Sequence, residues 1–157
     1  MTLHAKDIMV ANFDTIRADA PVEEAIYKIS NGIVRESGYK TISLMVLDDF
    51  GKLSGVVTMF DILYHLRPDF LNFGINGEEL KWEGQLKRLV ESFQGKKVHH
   101  IMTRHIVGAG VNDHLMILLD RMIKNKYHRL PVLENDKPIG IVYIADIYHH
   151  LFSRQKS

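Results

Sequence analysis

The sequence predicts an α/β fold: a tandem pair of β-α-β-β-α repeats related by a pseudo-twofold axis, with an inserted linker helix. Two observations carry this. First, Lys126 to Ile147 reads as strand, turn, strand, helix. An apolar run (Leu130 to Leu133) precedes a polar loop with a proline (Glu134 to Pro138), a β-branched run (Ile139 to Val142), and Asp146, which opens an apolar-faced segment. Second, the same grammar appears earlier, in Ile42 to Leu47, a loop, Leu53 to Val57, and then Thr58 and Asp61. Gly55-Val-Val-Thr-x-x-Asp-Ile and Gly140-Ile-Val-Tyr-x-x-Asp-Ile stand in constant register, so the chain is an internal duplication.

Taken in order, residues 1–20 are a lead-in whose Asp7-Ile8-Met9 reappears as His100-Ile101-Met102. Each copy precedes a short extended stretch, at Thr15-Ile16 and at Ile106-Val107. Pro21 starts a helix where its missing N–H costs nothing, with Glu23 and Glu24 in the favourable first turn. Val22, Ala25, Ile26, Ile29 and Ile33 give that helix one buried face, and Gly38 breaks the pattern. In the second copy Asn112 or Asp113 caps a helix facing inward through Leu115, Leu118, Leu119, Met122 and Ile123. The strands are continuous apolar runs, which requires cover on both sheet faces. A short helix follows each aspartate, burying Ile62, Leu63 and Leu66 in the first copy and Ile147 and Leu151 in the second; Pro68 ends the first. Between the repeats a helix is expected from about Glu78 to Phe93, with Trp82, Leu86, Leu89, Val90 and Phe93 as a stripe packed on the module or a second subunit. The boundaries are 1–66 for the first repeat, 67–97 for the linker and 98–157 for the second, in one compact module.

Composition excludes several functions. Hydrophobic content of 46% and charged content of 25% are ordinary for a globular protein, and a net charge of +1 offers no bulk field for nucleic acid or membrane. With no cysteine there is no disulfide, thiol nucleophile or thiolate metal site, which fits a reducing compartment. No apolar run is long enough to span a bilayer and no signal-peptide layout opens the chain, so a soluble, cytoplasmic protein is expected. His99-His100 with His105, and His149-His150, lack a ligand-like spacing, so no metal site is expected. No phosphate loop, nucleophile elbow or Ser/His/Asp arrangement points to catalysis.

On the residues alone, Thr58-x-x-Asp61 is a capping box and His128-Arg129 a solvated loop end. The duplicated signature, however, resembles the CBS domain (named after cystathionine β-synthase), which usually occurs as tandem pairs. Residues 120–132, DRMIKNKYHRLPV, resemble the adenine-nucleotide-binding repeats of the γ subunit of AMP-activated protein kinase. The resemblance implies that Asp61 accepts hydrogen bonds from both ribose hydroxyls, that Thr58 meets the phosphate end, and that His128 and Arg129 line a phosphate subsite. It also implies adenine walls at Val56, Ile106 and Val107, with Pro131 nearby. Such chemistry is sound: a carboxylate offers acceptors for a vicinal diol, a guanidinium grips phosphate oxygens through its planar fork, and a helix N-terminus attracts phosphate.

A second, weaker pocket would use Asp146, Tyr143, Thr15 and Ile16, with Ile42 and Ser43 standing where the first has His128 and Arg129; no basic pair stands there, and Lys40 is not expected to reach in. The resemblance thus implies a non-catalytic regulatory module, without a resident cofactor, that senses AMP, or ADP or ATP. It would form a homodimer and act through an unidentified protein target. Alternatives are S-adenosylmethionine or another adenosine ligand, which would leave Arg129 idle, and a dimerising scaffold without ligand.

Overall fold

In the computed structural model, residues 3–35, 37–40, 42–74, 76–79 and 81–153 are described. The first half contains helix α1 (Ala5–Ile8), strand β1 (Thr15–Arg17), helix α2 (Val22–Ser30), strands β2 (Ser43–Leu47) and β3 (Leu53–Thr58), and helix α3 (Met59–Leu66). After a connecting segment come α4 (Gln85–Glu91), α5 (Val98–Ile101), α6 (Leu115–Asn125), β4 (Arg129–Glu134), β5 (Lys137–Tyr143) and α7 (Ile144–Phe152). β1 lies parallel to β2 and β2 antiparallel to β3, while β4 and β5 form an antiparallel pair. The expected extended stretch at Ile106-Val107 contributes no strand; Ala109 bridges Val132 there instead.

Each sheet is covered by helices, as its unbroken apolar strands demand. One core gathers Ile16, Val22, Ala25, Leu44, Val46 and Val57; the other gathers Leu118, Met122, Leu130, Val132, Val142 and Ile147. The lead-ins are exchanged between them. Ala5 of α1 lies in the second core, and Val98 and Ile101 of α5 lie in the first. Backbone bonds fix the exchange: Val10 and Ile141 bond reciprocally at 2.8 and 3.0 Å, and Val56 and Thr103 at 3.0 and 2.9 Å. A third cluster of Met45, Ile141 and Tyr143, with Val10, Phe13 and Leu53 against it, fills the seam between the sheets.

Several helix expectations are corrected. α6 is capped by His114, whose Nδ1 accepts from the Met116 amide at 3.0 Å, rather than by Asn112 or Asp113; Asp113 instead binds the Gly110 amide. α2 ends at Ser30, so Ile33 lies beyond it. The connecting segment is not one helix from Glu78 to Phe93. A 3₁₀ turn at Gly77–Glu79 and α4 are separated by Gly84 at φ 78°, and Trp82 turns its indole N–H onto the Gly77 carbonyl at 2.8 Å. The stripe is thereby broken: Phe93 enters the first core, while Leu86 and Val90 are 63% and 54% exposed.

Candidate functional site

The end of β3 becomes the start of α3 at Thr58, whose extended backbone (φ −122°, ψ 167°) is that of an N-cap. The Asp61 amide donates to Thr58 Oγ1 at 3.1 Å, and Asp61 Oδ2 accepts from the Thr58 amide at 2.9 Å. The capping box is therefore formed, and it fixes the carboxylate at the helix N-terminus. Thr103, held against β3 by its bridge to Val56, donates its hydroxyl to Asp61 Oδ1 at 2.8 Å. No cation lies within ion-pair distance of Asp61 among the described residues.

The facing wall comes from the other half. α6 ends at Lys126 in a left-handed conformation (φ 56°), and this sharp exit brings Tyr127, His128 and Arg129 over the end of α3. Between the two walls is a cavity of about 530 Å³, within the usual range for small-molecule sites. Of the expected residues, Thr58, Asp61, His128, Arg129, Val56, Ile106 and Pro131 line it together. Val107 does not; it is 49% exposed, because the chain after Ile106 runs outward instead of pairing as a strand. Ile42, assigned by sequence to the other pocket, lines this one, beside Met59, Phe60 and Leu63 of α3. Leu63 thus faces the cavity and solvent rather than the core.

Arg129 is the unusual group. Its Nε is buried without an acceptor, and its guanidinium forms no ion pair among the described residues. Burial holds its pKa below the ordinary arginine value; Tyr143 and Asp61 pull the other way, and nearby Arg35 adds to the lowering. A buried, unpaired guanidinium beside a cavity costs free energy that an incoming anion would recover.

The second pocket, of about 400 Å³, contains Asp146 but differs from the expectation in every other named residue. Ile16 is buried in the first core and faces a separate cleft with Thr15. Tyr143 is buried at the seam, its hydroxyl 3.5 Å from Ser43 Oγ, and lines neither of the two main pockets. Lys40 Nζ donates to the Ser30 carbonyl and stays out of the pocket, as expected. A base is present there after all: Arg35 Nε donates to Asp146 Oδ2 at 2.8 Å. Sequence reasoning missed Arg35, Thr103 and Lys126. The Thr103 role was traceable, since extending the Asp7-Ile8-Met9 and His100-Ile101-Met102 match by one residue pairs Val10 with Thr103, each bridged to the opposite hairpin. Arg35 had no such signal, because it lies in the turn after α2 and meets Asp146 only through the tertiary fold.

Two halves of one design, meeting over a cavity with a carboxylate on one wall and a guanidinium on the other, define a tandem-repeat ligand-binding module. The CBS domain model matches residues 5–68 and again 98–153, and the chain belongs to the CBS domain family as a CBS pair, a class of regulatory module. Among solved structures, the chain is similar to the CBS-pair protein CBSX2 from Arabidopsis thaliana at 21% identity and TM-score 0.73, covering 100% of this chain and 99% of that one. CBSX2 in complex with AMP matches at 21% identity and TM-score 0.69, over 98% of each chain. The CBS domain pair of protein MJ0100, in complex with 5′-methylthioadenosine and S-adenosyl-L-methionine, matches at 23% and 0.67, over 99% of this chain and 100% of that one. At these identities the likeness concerns the fold. A comparison with curated proteins gave no match.

Proposed function

We propose that the chain is a non-catalytic regulatory module that binds an adenine nucleotide, AMP foremost, in the cavity between the β3–α3 junction and the start of β4. The observation carrying this reading is the pairing of opposites across that cavity: among the described residues Asp61 has no cation, and half-buried Arg129, its Nε buried without an acceptor, has no anion. A 5′-nucleotide supplies the missing partner to each, a diol for the carboxylate and a phosphate for the guanidinium. Asp61 Oδ1 has one donor and Oδ2 has the Thr58 amide and hydroxyl. One ribose hydroxyl therefore fits at once, and a second fits when the Thr58 hydroxyl turns toward the phosphate. Val56, Ile106 and Pro131 offer apolar walls for the base. At the rim Lys126 adds a cationic donor and His128 a ring N–H, which also suits ADP or ATP. The AMP complex of a structural relative supports the ligand class.

S-adenosylmethionine, held by another relative, is the second reading. It would satisfy Asp61 while placing a sulfonium cation near Arg129, which the charge pattern disfavours. Exposed apolar side chains on α3 (Phe60, Leu63, Tyr64) and α7 (Tyr148, Phe152) support pairing of two copies. Among the described residues no helix is long and apolar enough to cross a membrane, and the lack of cysteine supports a reducing compartment. Binding at the seam would regulate a partner by favouring one arrangement of the halves.

Calorimetry and thermal shift with AMP, adenosine and S-adenosylmethionine test the reading. AMP at a hundredfold excess over Kd should stabilise the fold by about 2.7 kcal/mol, and adenosine much less. Arg129→Ala should weaken AMP about ten- to a hundredfold, the worth of a charged hydrogen bond of roughly 1.5–3 kcal/mol. Equal shifts from AMP and adenosine would remove the phosphate assignment.

A further inference from the structure

Asp146 occupies the same place in its repeat as Asp61, yet it already has a cation. Arg35 leaves the turn after α2 and donates Nε to Asp146 Oδ2 at 2.8 Å, while Ser37 Oγ donates to Oδ1 at 2.6 Å. The paired side chains are only 5% and 15% exposed, so the contact is nearly dry. The guanidinium also stacks on Tyr143, 3.7 Å from the ring centroid. Asp61, by contrast, is held among the described residues by neutral threonine groups alone. We propose that Arg35 is a built-in occupant of the second pocket: it takes the carboxylate that a ribose diol would need, and its release opens a latent nucleoside site at Asp146.

Three features support a plug rather than a fixed core contact. Asp146 faces a cavity of about 400 Å³ whose walls include Ile8, Met9, Val10 and Ile33, apolar cover of the kind a base requires. Among the described residues Arg35 Nη1 is buried without an acceptor, so the guanidinium is incompletely satisfied there. Its backbone belongs to a short closed turn, with the Arg35 amide on the Tyr39 carbonyl and the Gly38 amide on the Arg35 carbonyl, both at 2.8 Å. That turn can shift without unpairing any strand. The plug is also the pocket's only arginine or lysine among the lining residues, so its release leaves no fixed cation for a phosphate. The latent site therefore suits adenosine more than AMP. The inference takes carboxylate–diol recognition from the reading of the first pocket, and in that respect rests on it.

The test is calorimetry with adenosine and AMP on the wild type, Arg35→Ala and Arg35→Gln, each alone and with Asp61→Asn. Gln keeps one donor for Asp146, which protects the fold if Ala leaves the carboxylate too exposed to loss of its partner. The wild type should bind no nucleoside at Asp146. Arg35→Ala should add one adenosine site per chain that survives Asp61→Asn and disappears with Asp146→Asn; Arg35→Gln should show the same site at least tenfold above wild-type affinity. Wild-type stoichiometry in every folded Arg35 variant, in both backgrounds, overturns the proposal. So does a wild type that fills two sites and loses one on Asp146→Asn. Failure of the first-pocket reading looks different: Asp61→Asn would then leave wild-type binding unchanged, whatever Arg35 variants do.

Discussion

On the proposed reading, Arg129 would serve binding at the expense of stability. Its folded pKa is lowered, chiefly by burial. For a base this means the charged form is disfavoured in the fold, so the cost is present at all pH values below the lowered pKa and is relieved only as pH rises through it. Arginine stays charged at neutral pH, so the penalty applies throughout the working range. Arg129→Met should therefore raise the stability of the ligand-free protein, by about 0.5–2 kcal/mol in denaturant titration, while lowering AMP affinity at least tenfold. A variant that loses both stability and affinity would show that Arg129 is a structural group. At this scale the family resemblance named Thr58, Asp61, His128 and Arg129 together, and the structure brings these four to one cavity because each sits at or beside the end of a strand or helix. The sequence was a poor guide to the second pocket, because Arg35 meets Asp146 across 111 residues of chain and no local pattern encodes that encounter.

The elements were legible where periodicity and turn chemistry agreed. The four hairpin strands and α3, α6 and α7 follow from their apolar runs; α4 did not, since a helical stripe says nothing of Gly84 turning left-handed within it. The β2–β3 hairpin carries a device of its own. Asp48 Oδ1 accepts from the amides of Lys52 and Phe50 at 2.9 and 2.8 Å, and these bonds, that to Lys52 foremost, lower its pKa. Because the folded value is depressed, its contribution is full above the ordinary carboxylate pKa of about 3.9 and fades as pH falls through the folded value. Wild type should thus melt above Asp48→Asn near neutrality, and the gap should close in acid. A gap independent of pH would assign the effect to turn geometry.

The paired glycines make a second test among the elements. A Cβ on Gly55 would meet the Thr103 carbonyl oxygen at 2.6 Å, which is backbone held in a reciprocal bridge. A Cβ on Gly140 would meet Met9 Sδ at 2.5 Å and Cγ at 2.8 Å, side-chain atoms that rotate more readily than backbone, with the Met9 Cβ at 3.1 Å behind them. Gly55→Ala should cost about 1–3 kcal/mol and Gly140→Ala distinctly less. Only the former should also weaken AMP, by displacing the Thr103 hydroxyl from Asp61. Chemical denaturation and calorimetry of the two variants read both effects.

At the scale of the whole molecule, the duplication and its α/β architecture were readable from the repeated Gly-to-Asp signature. The exchange of lead-ins was not: Asp7-Ile8-Met9 and His100-Ile101-Met102 announced that two copies exist, and nothing in either said which core each would join. In the structure α1 closes the second core and α5 the first, so neither half is complete by itself. Unfolding should therefore be a single transition in which both halves melt together, with AMP raising one midpoint rather than separating two. Fluorescence and circular dichroism traces that diverge would mean the halves are energetically independent.

That exchange gives the chain the logic of a two-part key. A backbone cut at Gly74, between the halves, would yield two pieces that each lack a wall the other carries. Neither piece should fold alone at low concentration, yet mixing them should restore the whole module and its AMP response, because every missing contact is supplied in trans. Each piece kept by itself at high concentration has one recourse, to lend its lead-in to a copy of itself, and the mismatch of Met9 and Met102 with the wrong glycine should leave that pairing weaker than the mixture. Size-exclusion chromatography of the separate and mixed pieces distinguishes the outcomes. Two pieces that each fold as monomers would mean that the borrowed helices are ornaments on cores already closed.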